Sequence, residues 1–285
     1  MDSLKSMQQT QLTALLDELD RFSTSDLIVR CQEAIGLDPT VEADQKRMDV
    51  AAAGAWAHDR AVSYLDRLRL LNKERVEVGG EIRQLLQYPY PTAEEEIEEA
   101  AWARVLAPHL AGRQEVVLNF FCVSVQHICS LLKIVADAVE YEIPLADLDY
   151  LDEFRHLRNH FEHWYNRLPG NTHEAVLITK TVTAGGYHIR GGLEIDAQDR
   201  IIVIEPTKSG PVTHVVDVTN DGVARVERIV QETDAKVREL AIEQVRAHFI
   251  AHPDQDIPSP DDVRKDLLIS AAGYEPKPNS TNGSR

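Results

Sequence analysis

The sequence predicts a mostly α protein: a helix bundle with a small antiparallel β appendage and a long C-terminal helix. Apolar residues recur every three or four positions from about Gln8 to Leu168, which is typical of amphipathic helices. After Pro169 and Gly170 the period shortens to two, in β-branched runs of strand length. A helical period returns from about Gly222 to His252. The bundle, the β region and the last helix are therefore expected to follow one another along the chain.

Residues 1–90 are predicted to form an N-terminal helical region. Runs such as TALLDELDRFS and AAAGAWAHDRAVSYLDRLRLL keep the helical spacing. Asp38-Pro39-Thr40 and the segment QYPYPTAEEE interrupt it, because proline cannot continue a helix and disfavours the helical conformation in the residue before it. A new helix is expected to begin at a capping box formed by Thr92 and Glu95.

The most apolar helix is expected over Gln114–Glu140. It is apolar over much of its circumference, which is typical of a helix buried in the middle of a bundle. Cys122 and Cys129 lie seven positions apart on one face, and we interpret them as core residues. We also expect His127 to be buried, with its hydrogen bonds satisfied.

Residues 171–252 are predicted to form the small β-sheet and the long helix, packed on the helical core. The strand-like runs are AVLITKTV, YHIRGGLEID, RIIVIEP and VTHVVDV, which Gly-Gly, Gln-Asp and Ser-Gly-Pro turn signals separate. Residues 253–285 are polar and rich in proline, so we expect them to form a flexible tail.

The composition is that of a globular protein from a reducing compartment. The 285 residues are 43% hydrophobic and carry a formal net charge of −17. This charge opposes nonspecific binding to polyanions, so an RNA contact requires a local basic patch. The three cysteines are too few for a disulfide framework, and we find neither a signal peptide nor an apolar run of the ~18–20 residues that span a bilayer. We expect a cytoplasmic protein without membrane contact.

The stretch RHLRNHFEHWYNRL, residues 155–168, is the strongest candidate for a functional site. On a helical wheel an apolar stripe faces the bundle, and it consists of Phe154, Leu157, Phe161, Trp164 and Leu168. The opposite arc carries the polar side chains, which are Arg155, His156, Arg158, Asn159, His160, Glu162, His163 and Arg167. This arc has no lysine and is rich in histidine, whereas solvated helix faces usually mix lysine and glutamate.

These residue types suit attack on an RNA phosphodiester. An imidazole exchanges a proton near neutral pH, and a guanidinium holds two phosphate oxygens while charge develops. The 2′-hydroxyl of RNA is already close to the phosphorus, so the reaction needs no metal. The pattern favours a metal-independent endoribonuclease or an RNA-binding protein, without cofactor or metal.

The hexapeptide RNHFEH, Arg158–His163, resembles the signature of the HEPN superfamily (higher eukaryotes and prokaryotes nucleotide-binding domain). That signature is an arginine, a polar residue, a few variable positions and a histidine on a late helix of a bundle. Asn119-Phe120, Glu162-His163 and Arg167 also match positions in uncharacterised bacterial members. The resemblance implies that residues 91–168 form a HEPN-like helical core that carries the motif.

The resemblance also implies a homodimer, in which the Arg/His motifs of two subunits meet in a shared cleft. His163 would be the acid/base group, Arg158 the phosphate clamp and Asn159 the amide that orients or contacts RNA. The residues expected to support binding are Arg155, His160, Glu162, Arg167 and Asn119. Active members are endoribonucleases of toxin, phage-defence or RNA-processing systems, so the partners implied are RNA and an antitoxin-type protein.

A metal site is one alternative. His156, His160 and His163 fall at positions i, i+4 and i+7, which directs three imidazoles to one side of a helix. Helical histidine pairs that bind zinc usually take a further ligand from elsewhere, and Glu162 points away from the trio on the wheel.

A non-catalytic interaction protein is the other alternative. Arg155 with Asn159, and Arg158 with Glu162, have i, i+4 spacing and could lock one another at a dimer interface. The sequence contains no GxSxG, GxxxxGK or GxGxxG motif in a context that supports a different chemistry.

Overall fold

A computed structural model of the chain is mostly helical, as the sequence predicts. The structure describes residues 2–38, 40–86, 94–162, 181–184, 187–190, 193–195, 198–207 and 210–264. The helices are α1 (Asp2–Leu19), α2 (Thr24–Ile35), α3 (Glu42–Leu86), α4 (Glu94–Asp137), α5 (Leu145–Glu162) and α6 (Asn220–Ala251). The predicted helix bundle is confirmed. Thr92, of the predicted capping box, lies outside the described residues.

The β region forms two antiparallel sheets. The strands are β1 (Thr181–Ala184), β2 (Tyr187–Arg190), β3 (Leu193–Ile195), β4 (Ile201–Thr207) and β5 (Gly210–Val216). β1 pairs with β2, and β4 lies between β3 and β5 in a separate sheet. The turn before β4 contains Asp199 at φ 61°, a left-handed conformation that aspartate tolerates better than most residues. The sequence predicts a single sheet, whereas the described strands divide between two.

The chain packs as two compact units. Unit 1 contains residues 1–55 and 236–285, and unit 2 contains residues 56–235. This division follows packing in three dimensions, whereas the segments expected from the sequence follow changes in composition.

Unit 1 joins segments from both ends of the chain. Its core contains the fully buried side chains of Leu15, Leu19 and Leu27 from α1 and α2. Arg238 of α6 fastens the turn between these two helices, because its Nη1 donates to the Phe22 carbonyl (2.9 Å) and its Nη2 to the Asp20 carbonyl (2.6 Å). The guanidinium thereby satisfies carbonyl groups at the end of α1 that the helix itself leaves unpaired.

The described part of segment 253–285 is packed, although the sequence predicts a flexible tail there. Gln255 donates from Nε2 to the Ile35 carbonyl (3.0 Å), and Val263 is buried. Arg264 donates from Nε and Nη2 to the two carboxylate oxygens of Glu18, at 2.5 and 2.6 Å. Residues 253–264 therefore belong to unit 1, and residues 265–285 lie outside the described part of the chain.

In unit 2, ion pairs link α3 to α4 and to α6. Arg113 of α4 donates from Nε to Glu74 of α3 (3.0 Å), and Arg69 of α3 donates from Nε to Glu227 of α6 (2.6 Å). These pairs are largely exposed, so each contributes at most about 1 kcal/mol. Packing of the apolar sides provides most of the cohesion.

His127 differs from its prediction, because it is exposed. The buried side of α4 centres on Phe121, Val125 and Ile128, and position 127 points away from it. The imidazole stacks on Tyr64 of α3 instead, with ring centroids 4.6 Å apart and planes 17° from parallel.

Helix α5 packs against α4 after a short turn. Phe154 of α5 stacks on Phe121 of α4 with centroids 5.9 Å apart, and Leu151 and Leu157 are fully buried on the same side. The turn contains Glu140 at φ 57°. This left-handed residue lets the Tyr141 N–H donate to the Ala136 carbonyl (2.9 Å), which closes the end of α4.

The three-stranded sheet covers a second side of α5. Ile201, Val203 and Val216 are buried on one face of this sheet, and His214 shares that face because it pairs with Val203 in the register of β4 and β5. Both β4 and β5 contact α5. The sheet thus brings His214 against the helix that carries the candidate motif.

One segment of α4, His109–Asp137, is long and apolar enough to cross a membrane, with a mean hydropathy of 1.6. The sequence prediction overlooked it because short polar residues interrupt the apolar run, yet residues 116–132 contain no Asp, Glu, Lys or Arg. Within the structure 56% of its most apolar window is buried, and the core helix of a soluble protein has the same features.

The start of α6 depends on a close approach at Gly222. Asp217 Oδ1 accepts from the N–H (3.1 Å) and the hydroxyl (2.6 Å) of Thr219, whose Oγ1 in turn accepts from the Gly222 N–H (3.3 Å). Tyr150 of α5 donates its hydroxyl to the Gly222 carbonyl (3.1 Å). A Cβ on Gly222 would overlap the Asp217 carbonyl oxygen and lie 2.8 Å from Asp217 Cγ.

We predict that Gly222→Ala destabilises the protein by about 1–3 kcal/mol, the usual cost of forcing an extra methyl into a packed site. Gly80→Ala is the matched control, because nothing lies within 4 Å of a Cβ there and alanine favours a helix interior over glycine by about 0.5–1 kcal/mol. Urea unfolding midpoints measure both changes. A midpoint for Gly222→Ala equal to or above that of the native chain would contradict the close approach.

We also predict an acid-dependent contribution from Glu18. Hydrogen bonds from Arg264, with a smaller contribution from Arg21, hold the pKa of this carboxyl below its usual range. Because the folded-state pKa is lowered, the stabilisation is present near neutral pH and is lost as the pH falls below about 4.3, the ordinary value for glutamate.

The stability difference between the native chain and Glu18→Gln should therefore shrink between pH 7 and pH 3, as measured by thermal unfolding across that range. Asp17→Asn, which removes the charge of an exposed carboxylate on the same helix, is the matched control. A difference for Glu18→Gln that stays constant with pH would show that the Arg264 contact does not depend on ionisation.

Candidate functional site

Helix α5 carries most of the predicted motif and ends at Glu162. Arg158 and Asn159 lie in its last turns. His163 and Arg167, the predicted acid/base group and one of the predicted supporting residues, lie outside the described residues. The structure therefore places the arginine end of the motif and leaves the histidine end as a prediction.

The guanidinium of Arg158 is fixed between two helices. Its Nε donates to Glu162 Oε1 (2.7 Å), and its Nη1 donates to Gln126 Oε1 of α4 (2.8 Å). The side chain is 38% exposed, so one edge of the group faces outward. Gln126 was not among the predicted site residues. The signal that could have identified it is its polar side chain, which interrupts an otherwise apolar helix.

Arg155 pairs with a different residue from the one expected. Its Nη2 lies 3.0 Å from Asp152 Oδ2, an i, i+3 ion pair in which both side chains are about half exposed. The sequence suggested Asn159 as the partner of Arg155, and in the structure Asn159 is half-buried. Each arginine of α5 thus has a carboxylate beside it, because Asp152 and Glu162 also lie on this helix.

His160 is buried, with 3% of its surface exposed, although the wheel placed it on the polar arc. Position 160 borders Leu157 on the helix surface, and α5 is covered on more than one side. The imidazole meets Phe161 edge-on, with centroids 6.0 Å apart. This environment makes His160 a residue of the helix packing, not of the exposed polar arc.

Asn119 lies on α4 with its amide oxygen buried. Among the described residues this Oδ1 has no hydrogen-bond partner. The next residue, Phe120, is exposed and packs under the guanidinium of Arg67, 5.2 Å from the ring centroid. Asn119 thus lies on the same helix as Gln126, and its supporting role in the site stays a prediction.

A second cluster joins α5 to β5 and was not predicted. His214 Nδ1 lies 3.1 Å from Glu153 Oε2, and the rings of His214 and His156 are stacked with centroids 3.3 Å apart and planes 9° from parallel. One ligand atom from each of the three residues lies within 4.8 Å of the other two. All three side chains are partly buried.

This cluster differs from the histidine trio that the sequence suggested as a metal site. Only His156 belongs to both sets, because His160 is not part of the cluster and His163 lies outside the described residues. The Glu153-Phe-Arg-His156 spacing, i and i+3 on one helix, was a signal in the sequence. The contribution of His214 was not, because it depends on the pairing of the sheet with α5.

A groove in unit 1 provides no reactive groups. It has a volume of about 420 Å³ and is lined by Met7, Thr10, Gln11, Ala14 and residues 257–260, which are Ile-Pro-Ser-Pro. None of these side chains is acidic, basic or imidazole, so the groove offers no group for acid–base catalysis near neutral pH.

The cysteines are unsuited to nucleophilic chemistry. All three are buried, and burial raises the pKa of Cys31 to about 12 and that of Cys122 further. Burial also raises the pKa of Cys129. Because the thiolate is the reactive form, these residues are core side chains, as expected for Cys122 and Cys129.

Comparisons of the chain with models of known protein families, with curated proteins and with solved structures found no match. The function must therefore be inferred from the residues and their geometry.

We predict that native protein reacts with a thiol reagent at pH 8 far more slowly than unfolded protein. For Cys31, a pKa of about 12 in place of the ordinary ~8.5 lowers the thiolate fraction on the order of a thousandfold. The release of chromophore from an aromatic disulfide reagent, with and without denaturant, measures the difference. Rapid modification of any cysteine in the folded chain would contradict the burial described here.

Proposed function

We propose that this protein binds RNA through a HEPN-like Arg/His site at the end of α5, and that a homodimer of it cleaves RNA without a metal. The observation that carries the proposal is the position of Arg158. Its guanidinium is anchored on one edge by Glu162 and Gln126 and is exposed on another. A guanidinium held in this way is oriented before a phosphate arrives.

The donors of Arg158 are sufficient for a phosphate. A guanidinium has five N–H groups, and the two contacts of Arg158 within the described residues use one at Nε and one at Nη1. The remaining N–H groups can donate to phosphate oxygens. Glu162 partly offsets the charge of the arginine, which lowers its affinity for an anion but fixes its geometry.

His163 is proposed as the proton-transfer group. Its imidazole would take the proton of a ribose 2′-hydroxyl while that oxygen attacks the phosphorus, and the imidazolium so formed would return a proton to the departing 5′-oxygen. The products are a 2′,3′-cyclic phosphate and a 5′-hydroxyl. Arg158 would stabilise the charge on the phosphate oxygens, and Asn159 would orient the RNA.

A dimer is part of this proposal because Arg158 and His163 are five residues apart on the chain. The sequence predicts both on one helix, where at ~3.6 residues per turn this spacing would turn their side chains away from one another. Arginine from one subunit and histidine from the other would complete a site that a single subunit lacks.

A non-catalytic interaction protein is the second candidate, and the Arg158–Glu162 pair favours it. That ion pair is the local contact which such a role predicts. If this face of α5 lies at an interface between proteins, substitution of Arg158 should weaken association of the chains. It should not change the cleavage of RNA.

We predict that the purified protein cleaves a mixed, end-labelled RNA pool in the presence of EDTA and leaves 2′,3′-cyclic phosphate ends. His163→Ala and Arg158→Ala should each reduce the rate by about 100-fold or more, the usual effect of removing a general base or a charge-stabilising donor. Arg158→Lys keeps the charge but loses the planar donor geometry, so it should restore only part of the rate.

Arg228→Ala is the matched control, because Arg228 is an exposed arginine on α6 beside a carboxylate, Glu232, at 4.0 Å. It should cleave RNA at the native rate. Circular dichroism and light scattering establish that each variant is folded and report its oligomeric state. If no protein cleaves or binds RNA and Arg158→Ala loses self-association, the proposal is wrong and the interaction role is correct.

A further inference from the structure

We propose that Glu153, His156 and His214 bind a zinc ion that links α5 to β5. This inference does not rest on the proposed RNA site, which uses other residues of α5. Two imidazoles and one carboxylate form a ligand set that zinc takes in proteins, with a fourth position left to water.

The ligand atoms are close to the required spacing. Zinc bonds to histidine nitrogen at about 2.0–2.1 Å, so ligand atoms at the corners of a tetrahedral site lie ~3.4 Å apart. Glu153 Oε2 and His214 Nδ1 are 3.1 Å apart. The ligand atoms of all three residues lie within 4.8 Å of one another, so a small movement of the side chains would bring them to tetrahedral spacing.

The rings must turn to bind the ion. Because the two imidazole planes are within 9° of parallel, their lone pairs do not yet converge on one point. Rotation of each ring about its bond to Cβ directs a nitrogen toward the ion. Zinc would take the place of the proton between His214 Nδ1 and Glu153 Oε2, and a neutral His214 imidazole would then carry its proton on Nε2.

The charge around the cluster suits a cation. The first half of α5 carries Asp147, Asp149 and Asp152 in addition to Glu153, and residues 145–153 contain no lysine or arginine. The nearest arginines on this helix do not oppose binding strongly, because Arg155 pairs with Asp152 and Arg158 with Glu162.

The site would have a mechanical effect on unit 2. Glu153 and His156 are fixed on a helix whose next residues, Phe154 and Leu157, are fully buried. His214 lies on β5, 58 positions after His156 and separated from it by the whole β region. Zinc would therefore cross-link α5 and β5, which are far apart along the chain.

The test is calorimetric titration of chelator-treated, full-length protein with zinc chloride. The expected result is one zinc ion per chain with saturable binding. Glu153→Gln and His214→Gln, which keep the size and the polarity of the side chains, should each weaken binding by about 100-fold or more, since even removal of a group that only supports a ligand costs about 10–100-fold.

His127→Gln is the matched control, because His127 is a stacked histidine in the same unit that belongs to no ligand cluster in the described residues. It should bind zinc as the native chain does. Cobalt(II) gives a second readout that needs no variant, because the intensity of its visible absorption distinguishes a four-coordinate site from a hydrated, six-coordinate ion.

The absence of saturable zinc binding by the native chain would overturn the proposal and leave a hydrogen-bonded Glu153–His214 pair. Binding that is equally tight in Glu153→Gln and His214→Gln would overturn it as well, since the ion would then lie elsewhere. Neither result bears on RNA cleavage, which is measured in EDTA. Failure of the RNA proposal likewise leaves the zinc titration unaffected.

Discussion

Burial of α5 on two sides is the constraint on which the candidate sites depend. Phe154 packs on Phe121 of α4, and the buried face of the three-stranded sheet lies against the helix on another side. Only a narrow arc remains for polar groups that face outward, and it holds Arg158. Glu153 and His156 belong to the side that meets β5, so one helix supports two chemically different environments.

The excess of acidic residues weakens the binding of an anion at Arg158 and favours the binding of a cation at Glu153, His156 and His214. The chain has 47 acidic and 30 basic residues. Each of the two arginines described on α5 lies beside a carboxylate. An RNA phosphate must compete with Glu162 for Arg158, which weakens the electrostatic attraction of the site for any polyanion. Selectivity for RNA then depends on the geometry of the site. A divalent cation meets the reverse situation, because the same carboxylates raise its local concentration.

The helices follow from the sequence because their signals are local. Apolar spacing located the helical regions before and after the β segment, and the burial of Cys122 agrees with its position on the apolar face of α4. The exposure of His127 and the burial of His160 did not follow, because each depends on which neighbouring element covers which side of a helix. The contact between Glu153 and His214 was beyond local reasoning for the same reason, since 61 residues separate them.

Unit 1 draws its helices from both ends of the chain, and this has a consequence for biosynthesis. Arg238 reaches back 216 residues to Phe22, and Arg264 reaches back 246 residues to Glu18. On the ribosome, α1 and α2 emerge long before these partners, whereas residues 56–235 are complete before Arg238 and Arg264 are made. The two helices are thus made well before they are secured, and during that interval their apolar faces are surfaces for a chaperone to protect.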